Sequence, residues 1–197
     1  MNFVKADDEL WRLIAEGDEK AFSFVYDKYA KELYKYGRRF TGDTDLISDV
    51  LQDIFVHIWE AREKLSIQKS IKFYLFSSLR REIIKRINRS YSGESFDEFQ
   101  HKMSWNESFE QVLLQNQIIF ERNHKITEAL ESLPSRQKEA IHLRYLEEMD
   151  YEDISELMGV KITTLYNLIF TGLKTLKEKL PNRKMLIFLL LLLLGNV

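Results

Sequence analysis

The chain has 197 residues, no cysteine, seven glycines and two prolines. The absence of cysteine excludes a disulfide scaffold and any metal site ligated by cysteine. Few glycines and prolines, together with 30% charged residues, favour long helices over a turn-rich β protein. The histidines are scattered without metal-binding spacing, so no metal and no cofactor are expected; they are His57, His101, His124 and His142.

Charge is segregated along the chain although the net charge is only −2. Residues 41–60 hold five acids and no lysine or arginine, residues 62–89 hold nine bases and two acids, and residues 147–156 hold six acids and no base. Blocks of opposite charge predict separate protein faces that bind separate partners. The alternative is that the charges only keep the exposed sides of the helices solvated. The N-terminus carries charges where a signal peptide needs an apolar core, so nothing suggests export and the cytoplasm is the default expectation.

The first 89 residues show apolar side chains at helical spacing. They predict a short helix around Glu9–Ala15, a long helix from Asp18 to Phe40, and further helices over Asp45–Ala61 and Ser70–Arg89. Gly42 is expected to have the left-handed conformation of a helix C-cap. The stripe of the long helix contains Phe22, Val25, Tyr26, Tyr29, Leu33 and Tyr36. These helices can bury one core.

Composition changes at Ser90, where serine, glycine and acids replace the helical pattern, so residues 90–106 are interpreted as a linker. Helical pattern returns near Glu107 and continues to Ser132. Pro134 is placed at or near the N-cap of the next helix, which is expected to reach Leu146.

Residues 150–180 predict two helices joined by a tight turn. Asp150 is the expected N-cap of the first, which should end at Gly159, and the second should begin near Lys161. Small Ser155 is expected where the two helices cross. This is a helix-turn-helix pattern of the kind that reads DNA, although purely structural helix pairs share it.

The second of these helices has an unusual exposed face, because residues 162–173 contain no charged side chain. Base contacts would therefore fall to Asn167 and to threonine hydroxyls. The residues expected on this face are Thr163, Thr164, Tyr166, Asn167, Phe170 and Thr171.

Three segments, in order, resemble the extracytoplasmic-function (ECF) sigma factors of the sigma-70 family, which are initiation subunits of bacterial RNA polymerase. They are SDVLQDIFVHIWE at residues 48–60, IKFYLFSSLRREIIKRINR at residues 71–89, and ALESLPSRQKEAIHLRYLEEMDYEDISELMGV at residues 129–160. The helical pattern and the apolar tail resemble the iron-citrate-type branch of that family.

The resemblance implies an all-α protein of two small helical domains and no enzymatic activity. Residues 1–89 would form a region 2-like domain, residues 90–106 the linker, and residues 107–182 a region 4-like helix-turn-helix domain. Residues 183–197 would form a short apolar C-terminal helix. No nucleophile triad, phosphate loop or metal spacing suggests catalysis.

The resemblance also assigns partners to the first domain. The acidic helix would dock on the β′ coiled coil of the polymerase core through Asp45, Asp49, Gln52, Asp53 and Trp59. Phe55 is expected in the hydrophobic core, whereas Trp59 fits a core or a docking position equally.

The basic helix would follow single-stranded DNA near the −10 element, and the loop Lys64–Lys69 would hold a flipped base. The assigned DNA contacts are Lys72, Tyr74, Arg80, Arg81, Lys85, Arg86 and Arg89. Phe76 and one of Phe73 and Tyr74 are expected in the core. Arg81 and Lys85 stand where the family often has asparagine and aspartate.

The helix-turn-helix would contact the −35 element through Lys161, Thr163, Thr164, Tyr166, Asn167 and Lys174. The family usually carries bases at positions matching Tyr166, Leu168 and Thr171, and here none is basic. Amide groups at the helix N-terminus can hold a phosphate without side-chain charge. Further implied partners are promoter DNA, the polymerase β flap and a membrane-spanning anti-sigma factor.

Met185–Leu194 is an uninterrupted apolar run of ten residues. A helix of this length spans roughly 15 Å, half the hydrocarbon core of a bilayer, so it is too short to cross. Burying ten such side chains represents of order 15–30 kcal/mol as an upper bound. The run is expected to dock on this chain, on a partner or on a membrane surface.

The sequence therefore predicts an alternative sigma factor that binds core polymerase and directs promoter recognition and strand opening. The main alternative is a stand-alone helix-turn-helix regulator with an N-terminal effector domain. A membrane-attached scaffold that uses the tail is a third possibility. The acidic helix favours the sigma factor over the stand-alone regulator, because such a regulator needs no surface for docking on core polymerase.

Overall fold

The computed structural model describes residues 3–67, 69–90 and 128–180. The chain divides into two compact units, Met1–Glu94 and Ser95–Val197. Within the described ranges all regular structure is helical. The linker, most of the helix expected from Glu107, and the apolar tail lie outside these ranges.

Four helices form the N-terminal unit: α1 (Phe3–Ala15), α2 (Glu19–Gly37), α3 (Thr44–Ala61) and α4 (Ile71–Ser90). Helices α2, α3 and α4 pack against one another, and α1 packs against α2. Each contributes one apolar stripe to a shared core. The fully buried side chains include Ile14, Leu33, Tyr36, Ile47, Ile58, Leu75, Phe76, Leu79 and Ile83.

Two aspartates set the beginnings of α2 and α3. The Asp18 carboxylate accepts hydrogen bonds from the backbone N–H groups of Lys20 and Ala21, at 2.8 and 3.0 Å. The Asp43 carboxylate accepts from the second and third residues after it in the same way. These N-caps satisfy amides that the helix itself leaves unpaired.

The connection between α2 and α3 differs from the sequence expectation. Helix α2 ends at Gly37 rather than Phe40, with Arg38 as its C-cap in the right-handed region. The expected left-handed conformation of Gly42 is wrong, because Gly17 and Gly159 are the glycines with positive φ in the described ranges. A Cβ atom at Gly42 would have no neighbouring atom within 4 Å.

The N-terminal helix is longer than the expected Glu9–Ala15 segment and ties down the loop before α4. The Trp11 indole donates a hydrogen bond to the Leu65 carbonyl at 3.2 Å. The Asp7 carboxylate accepts one from the Ile71 backbone N–H at 3.1 Å, which satisfies an amide of the first turn of α4. Contacts across more than fifty residues cannot be read from local periodicity.

The C-terminal unit contains a helix that ends at Glu131, followed by α5 (Ser135–Tyr145), α6 (Tyr151–Met158) and α7 (Ile162–Lys179). Helix α7 packs against α5 and α6. One part of their core is formed by Ala129, Leu130, Leu133, Ile141, Leu176 and Leu180. The expected N-cap positions of Pro134 and Asp150 are confirmed, and Lys161 is the N-cap residue of α7; none of the three makes a side-chain cap hydrogen bond.

The turn between α6 and α7 lies where the sequence predicts it, between Gly159 and Lys161. Gly159 has the left-handed conformation, with φ 64°. A residue with a side chain would be destabilised by about 1–2 kcal/mol in this conformation. The Ser155 hydroxyl donates to the Val160 carbonyl at 2.7 Å, so this small residue fastens the turn.

No helix in the described parts of the chain combines the length and apolar character needed to span a bilayer.

Gly37 provides a test of packing in the N-terminal unit. A Cβ atom there would lie 2.8 Å from Ile47 Cγ2 and 3.2 Å from Ile83 Cδ1, both of them buried side chains. Gly37→Ala should therefore lower the free energy of unfolding by about 1–3 kcal/mol, measured by urea denaturation. Gly42→Ala is the matched control and should change it by less than about 1 kcal/mol. Equal stability of the two variants would contradict this packing.

Candidate functional site

One face of α3 is acidic and solvent-exposed. Asp45, Asp49, Gln52 and Asp53 are all exposed, whereas the opposite stripe of Ile47, Val50, Ile54 and Ile58 is buried. The helical repeat separates the two sets, because residues three and four apart share a face. The polar residues that the sequence assigned to polymerase docking therefore lie on one surface.

An apolar groove of about 760 Å³ runs beside this acidic face, between α2 and α3. Phe22 and Tyr26 line it from α2, and Leu51, Phe55 and Trp59 line it from α3. Polar and charged side chains at its rim include Lys31, Ser48, Gln52 and Glu60. The groove was not predicted from the sequence, although the aromatic residues that form it were recognised.

Four of the aromatic rings that line the groove pack against one another. Phe22 lies 5.1 Å from the ring centroid of Trp59 and 6.1 Å from that of Phe55, while Tyr26 lies 4.8 Å from Phe55. Phe55 is buried, as expected. Tyr26 departs from its predicted core position because it is 49% exposed.

Trp59 lies between the core and the surface, the two positions that the sequence left open. It is half-buried, packs on Phe22 and lines the groove. The Arg62 guanidinium lies 4.6 Å from its ring centroid and also donates a 2.6 Å hydrogen bond to the Trp59 carbonyl. The indole is thus fixed by neighbours while one part of it remains open to the groove.

A single row of bases follows the outer face of α4. Arg81, Lys85 and Arg89 are exposed and are spaced four residues apart. Lys72, Tyr74 and Arg86 are half-buried. The three exposed bases can present positive charge along about two turns of helix.

Arg80 does not belong to that row. It is 8% exposed, so the expectation that its side chain lies on the surface with Arg81 is wrong. Successive residues on a helix point about 100° apart, and the apolar stripe of Phe76, Leu79 and Ile83 turns Arg80 inward.

Two residues that the sequence assigned to different partners form an ion pair with each other. The Asp53 carboxylate of α3 contacts the Arg86 guanidinium of α4, and Lys85 contacts Glu82 at 2.9 Å. Both pairs include exposed groups, so each contributes at most about 1 kcal/mol. The acidic and basic faces therefore meet along one edge of the N-terminal unit.

The aromatic residues of α4 differ in burial. Phe76 is fully buried, as expected, but Phe73 and Tyr74 are both half-buried, so the expectation that one of them completes the core is wrong. Lys69 Nζ lies 4.4 Å from the Phe73 ring centroid. Burial raises the pKa of the Tyr74 phenol, which keeps it neutral at physiological pH. The loop before α4 includes residue 68, which lies outside the described ranges.

The predicted −35 residues share the outer surface of α7. Thr163, Thr164, Tyr166 and Asn167 are exposed, and Lys161 and Lys174 flank them. Lys161 makes no side-chain cap to the first-turn amides of α7. Lys174 lies 4.0 Å from the Glu178 carboxylate, an exposed pair of little energetic weight.

Two residues beside this surface were missed by the sequence analysis. The Tyr151 ring of α6 packs 4.6 Å from that of Tyr166, and the Arg144 guanidinium of α5 lies 4.8 Å from the Tyr151 ring centroid. Arg144 also donates to the Met149 carbonyl at 2.8 Å. Tyr166 is therefore supported by two side chains in succession, Tyr151 of α6 and Arg144 of α5.

No group of three or more histidine, aspartate or glutamate side chains within the described ranges could hold a metal ion.

Comparisons with known proteins agree with this arrangement. The Sigma-70 region 2 family matches residues 25–92, and the Sigma-70 region 4 family matches residues 123–176, so together they cover more than half of the chain. The first match contains α3 and α4, and the second contains α5, α6 and most of α7.

Similar proteins extend over nearly the whole chain. The ECF RNA polymerase sigma factor SigK of Mycobacterium sp. (strain JLS) is 26% identical over 178 residues, which are 89% of this chain and 92% of that protein. SigK of Mycobacterium bovis (strain BCG / Pasteur 1173P2) is 24% identical over 172 residues, 87% of this chain and 91% of that protein. The solved structure of CnrH, in complex with the cytosolic domain of CnrY, has a similar fold, with TM-score 0.56 and 18% identity over 90% of this chain and 99% of that one.

The presence of region 2 as well as region 4 distinguishes the chain from a stand-alone helix-turn-helix regulator. The protein belongs to the sigma-70 family as an ECF sigma factor, a non-enzymatic subunit that directs transcription initiation by RNA polymerase.

Proposed function

We propose that residues 1–89 dock on core polymerase and engage the −10 element, and that residues 107–182 engage the −35 element and the β flap. Residues 90–106 link these two domains, and residues 183–197 form an apolar tail. The sigma factor acts in the cytoplasm. The observation that carries this proposal is the exposure of one acidic face, one basic row and one helix-turn-helix surface.

The acidic face of α3 and the adjoining groove together suit the β′ coiled coil. Asp45 and Asp49 supply charge for a basic helix, and Gln52 supplies a hydrogen-bonding edge. The groove, with Trp59 at its wall, can accept apolar side chains from the same partner helix. Asp53 takes part at the edge, where it also contacts Arg86.

The basic row of α4 suits a displaced DNA strand. Arg81, Lys85 and Arg89 can neutralise successive phosphates, and half-buried Phe73 and Tyr74 offer ring surface for bases. Lys72 and Arg86 extend the positive surface inward. Arg80 is excluded from this set because it is buried.

We also propose that a membrane-spanning anti-sigma factor holds this protein inactive through its cytosolic part. The complex of CnrH with the cytosolic domain of CnrY supports such a partner by analogy of fold. The assignment to the iron-citrate-type branch rests on the helical pattern and the apolar tail.

Charge reversal on α3 tests polymerase docking. Asp45→Arg with Asp49→Arg should abolish binding of core polymerase, because both carboxylates are exposed beside the groove. Asp53 is left intact so that its pair with Arg86 persists. Affinity is measured by fluorescence anisotropy of labelled sigma factor. The control, Asp8→Arg with Glu9→Arg on α1, makes the same charge change and should bind normally; equal affinity of the two variants would contradict the assignment.

Promoter opening tests the basic row. Arg81→Glu with Lys85→Glu should leave core binding intact but prevent strand opening, because the variant repels the displaced strand. Permanganate reactivity of thymines in the −10 region reports opening. Arg12→Glu with Lys20→Glu carries the same charge change on exposed sites of α1 and α2 and should open DNA normally. Wild-type thymine reactivity in the α4 variant would exclude this role.

Salt dependence tests the −35 surface. Because residues 162–173 carry no charge, binding to a −35 duplex should use only two or three phosphate contacts, from Lys161, Lys174 and Lys177. The logarithm of the affinity should then fall with that of the salt concentration with a slope of about −2 to −3. The titration uses the full chain with Arg81→Glu and Lys85→Glu, which weakens the contribution of α4. A slope equivalent to six or more phosphate contacts would contradict the prediction that this surface binds DNA with little electrostatic attraction.

A further inference from the structure

The outer face of α7 presents two large apolar side chains. Tyr166 is 49% exposed and Phe170 is 67% exposed, and they lie one helical turn apart. The other exposed positions between residues 163 and 171 are threonine or asparagine, so no charge interrupts the surface. A face of this composition offers apolar contact to a partner and no electrostatic attraction.

The Tyr166 ring is held in place rather than free to turn away. It packs on Tyr151, which in turn contacts Arg144. Arg144 is anchored by its hydrogen bond to the Met149 carbonyl. The apolar surface is therefore already formed in the folded unit, which lowers the entropic cost of covering it.

We propose that the apolar run Met185–Leu194 of the same chain covers the Tyr166–Phe170 face of α7 and competes there with promoter DNA. The docking stands on the surfaces described above, whereas the competition rests on the proposed −35 function. Covering this face makes the tail an autoinhibitory segment.

The length of the connection allows this contact. Helix α7 ends at Lys179 and its C-cap Leu180 is buried, so the tail starts from a fixed point. Five steps of extended chain from Leu180 to Met185 span up to roughly 17 Å. Phe170 lies ten residues before Leu180, about 15 Å back along the helix axis. The tail can therefore begin beside Phe170.

The two surfaces also match in length and character. Residues 162–173 form an uncharged segment of about 18 Å, and the ten residues of the apolar run would cover about 15 Å of it if they formed a helix. The apolar run and residues 162–173 both lack charged side chains. Their contact therefore buries no unpaired charge. The tail is tethered to α7, so its effective concentration at this face is high. A tail from another molecule or a lipid surface would have to displace it.

Photo-cross-linking tests the docking in the full chain. A benzophenone amino acid replaces Phe170, and the same group at exposed Glu152 on α6 is the control. After irradiation, mass spectrometry should find a link from position 170 to residues 185–194 within one chain, and none from position 152. Absence of this link, a link between two copies, or transfer of the link to lipid when vesicles of phosphatidylcholine and phosphatidylglycerol are added would each overturn the proposal.

A tail variant tests the competition. Leu189→Asp with Leu193→Asp should abolish the cross-link and raise affinity for a −35 duplex at least tenfold. The control, Asn182→Asp with Asn196→Asp, adds the same charge outside the apolar run and should match the wild type. An unchanged duplex affinity in the leucine variant would overturn autoinhibition. Failure of every version to bind the duplex would contradict the −35 function, while the cross-link still decides the docking.

Discussion

Burial of the apolar stripe of α3 is the constraint on which the arrangement of the N-terminal unit depends. Ile47, Val50, Ile54 and Ile58 are packed against α2 and α4, and this fixes the rotation of the helix about its axis. Once the rotation is fixed, Asp45 and Asp49 have no position other than the surface. The acidic face is thus a consequence of core packing, and the groove lies between α2 and α3, where aromatic rings line it.

The same reasoning explains how far the sequence could predict the fold. The N-caps Asp150 and Pro134 and the stripe of α3 follow from local patterns, and the structure agrees with them. The burial of Arg80 and the exposure of Tyr26 do not follow, because a rotation of one residue, about 100°, reverses inside and outside. Which edge of a stripe is covered depends on neighbouring helices that are distant in sequence.

The same distinction between local pattern and tertiary packing separates the parts of the candidate site that could be predicted from those that could not. Exposed side chains such as Asp49, Lys85 and Thr164 could be predicted, because the polar side of an amphipathic helix is visible in its pattern. The groove and the pair Asp53–Arg86 could not, because both are formed by residues of two helices. Charge blocks predicted separate faces, but the packing of α3 on α4 brings one acid and one base of those blocks into contact.

Electrostatics differ between the surfaces proposed for the two promoter elements. The row Arg81–Lys85–Arg89 has strong positive charge, as single-stranded DNA requires, whereas the outer face of α7 has none between its flanking lysines. Affinity at an uncharged face must come from shape, hydroxyl groups and apolar contact, for which thymine methyl groups are one natural target. A surface of that chemistry does not distinguish strongly between a base edge and a leucine side chain. The absence of charge that limits phosphate binding is therefore also what makes this face accessible to an apolar competitor.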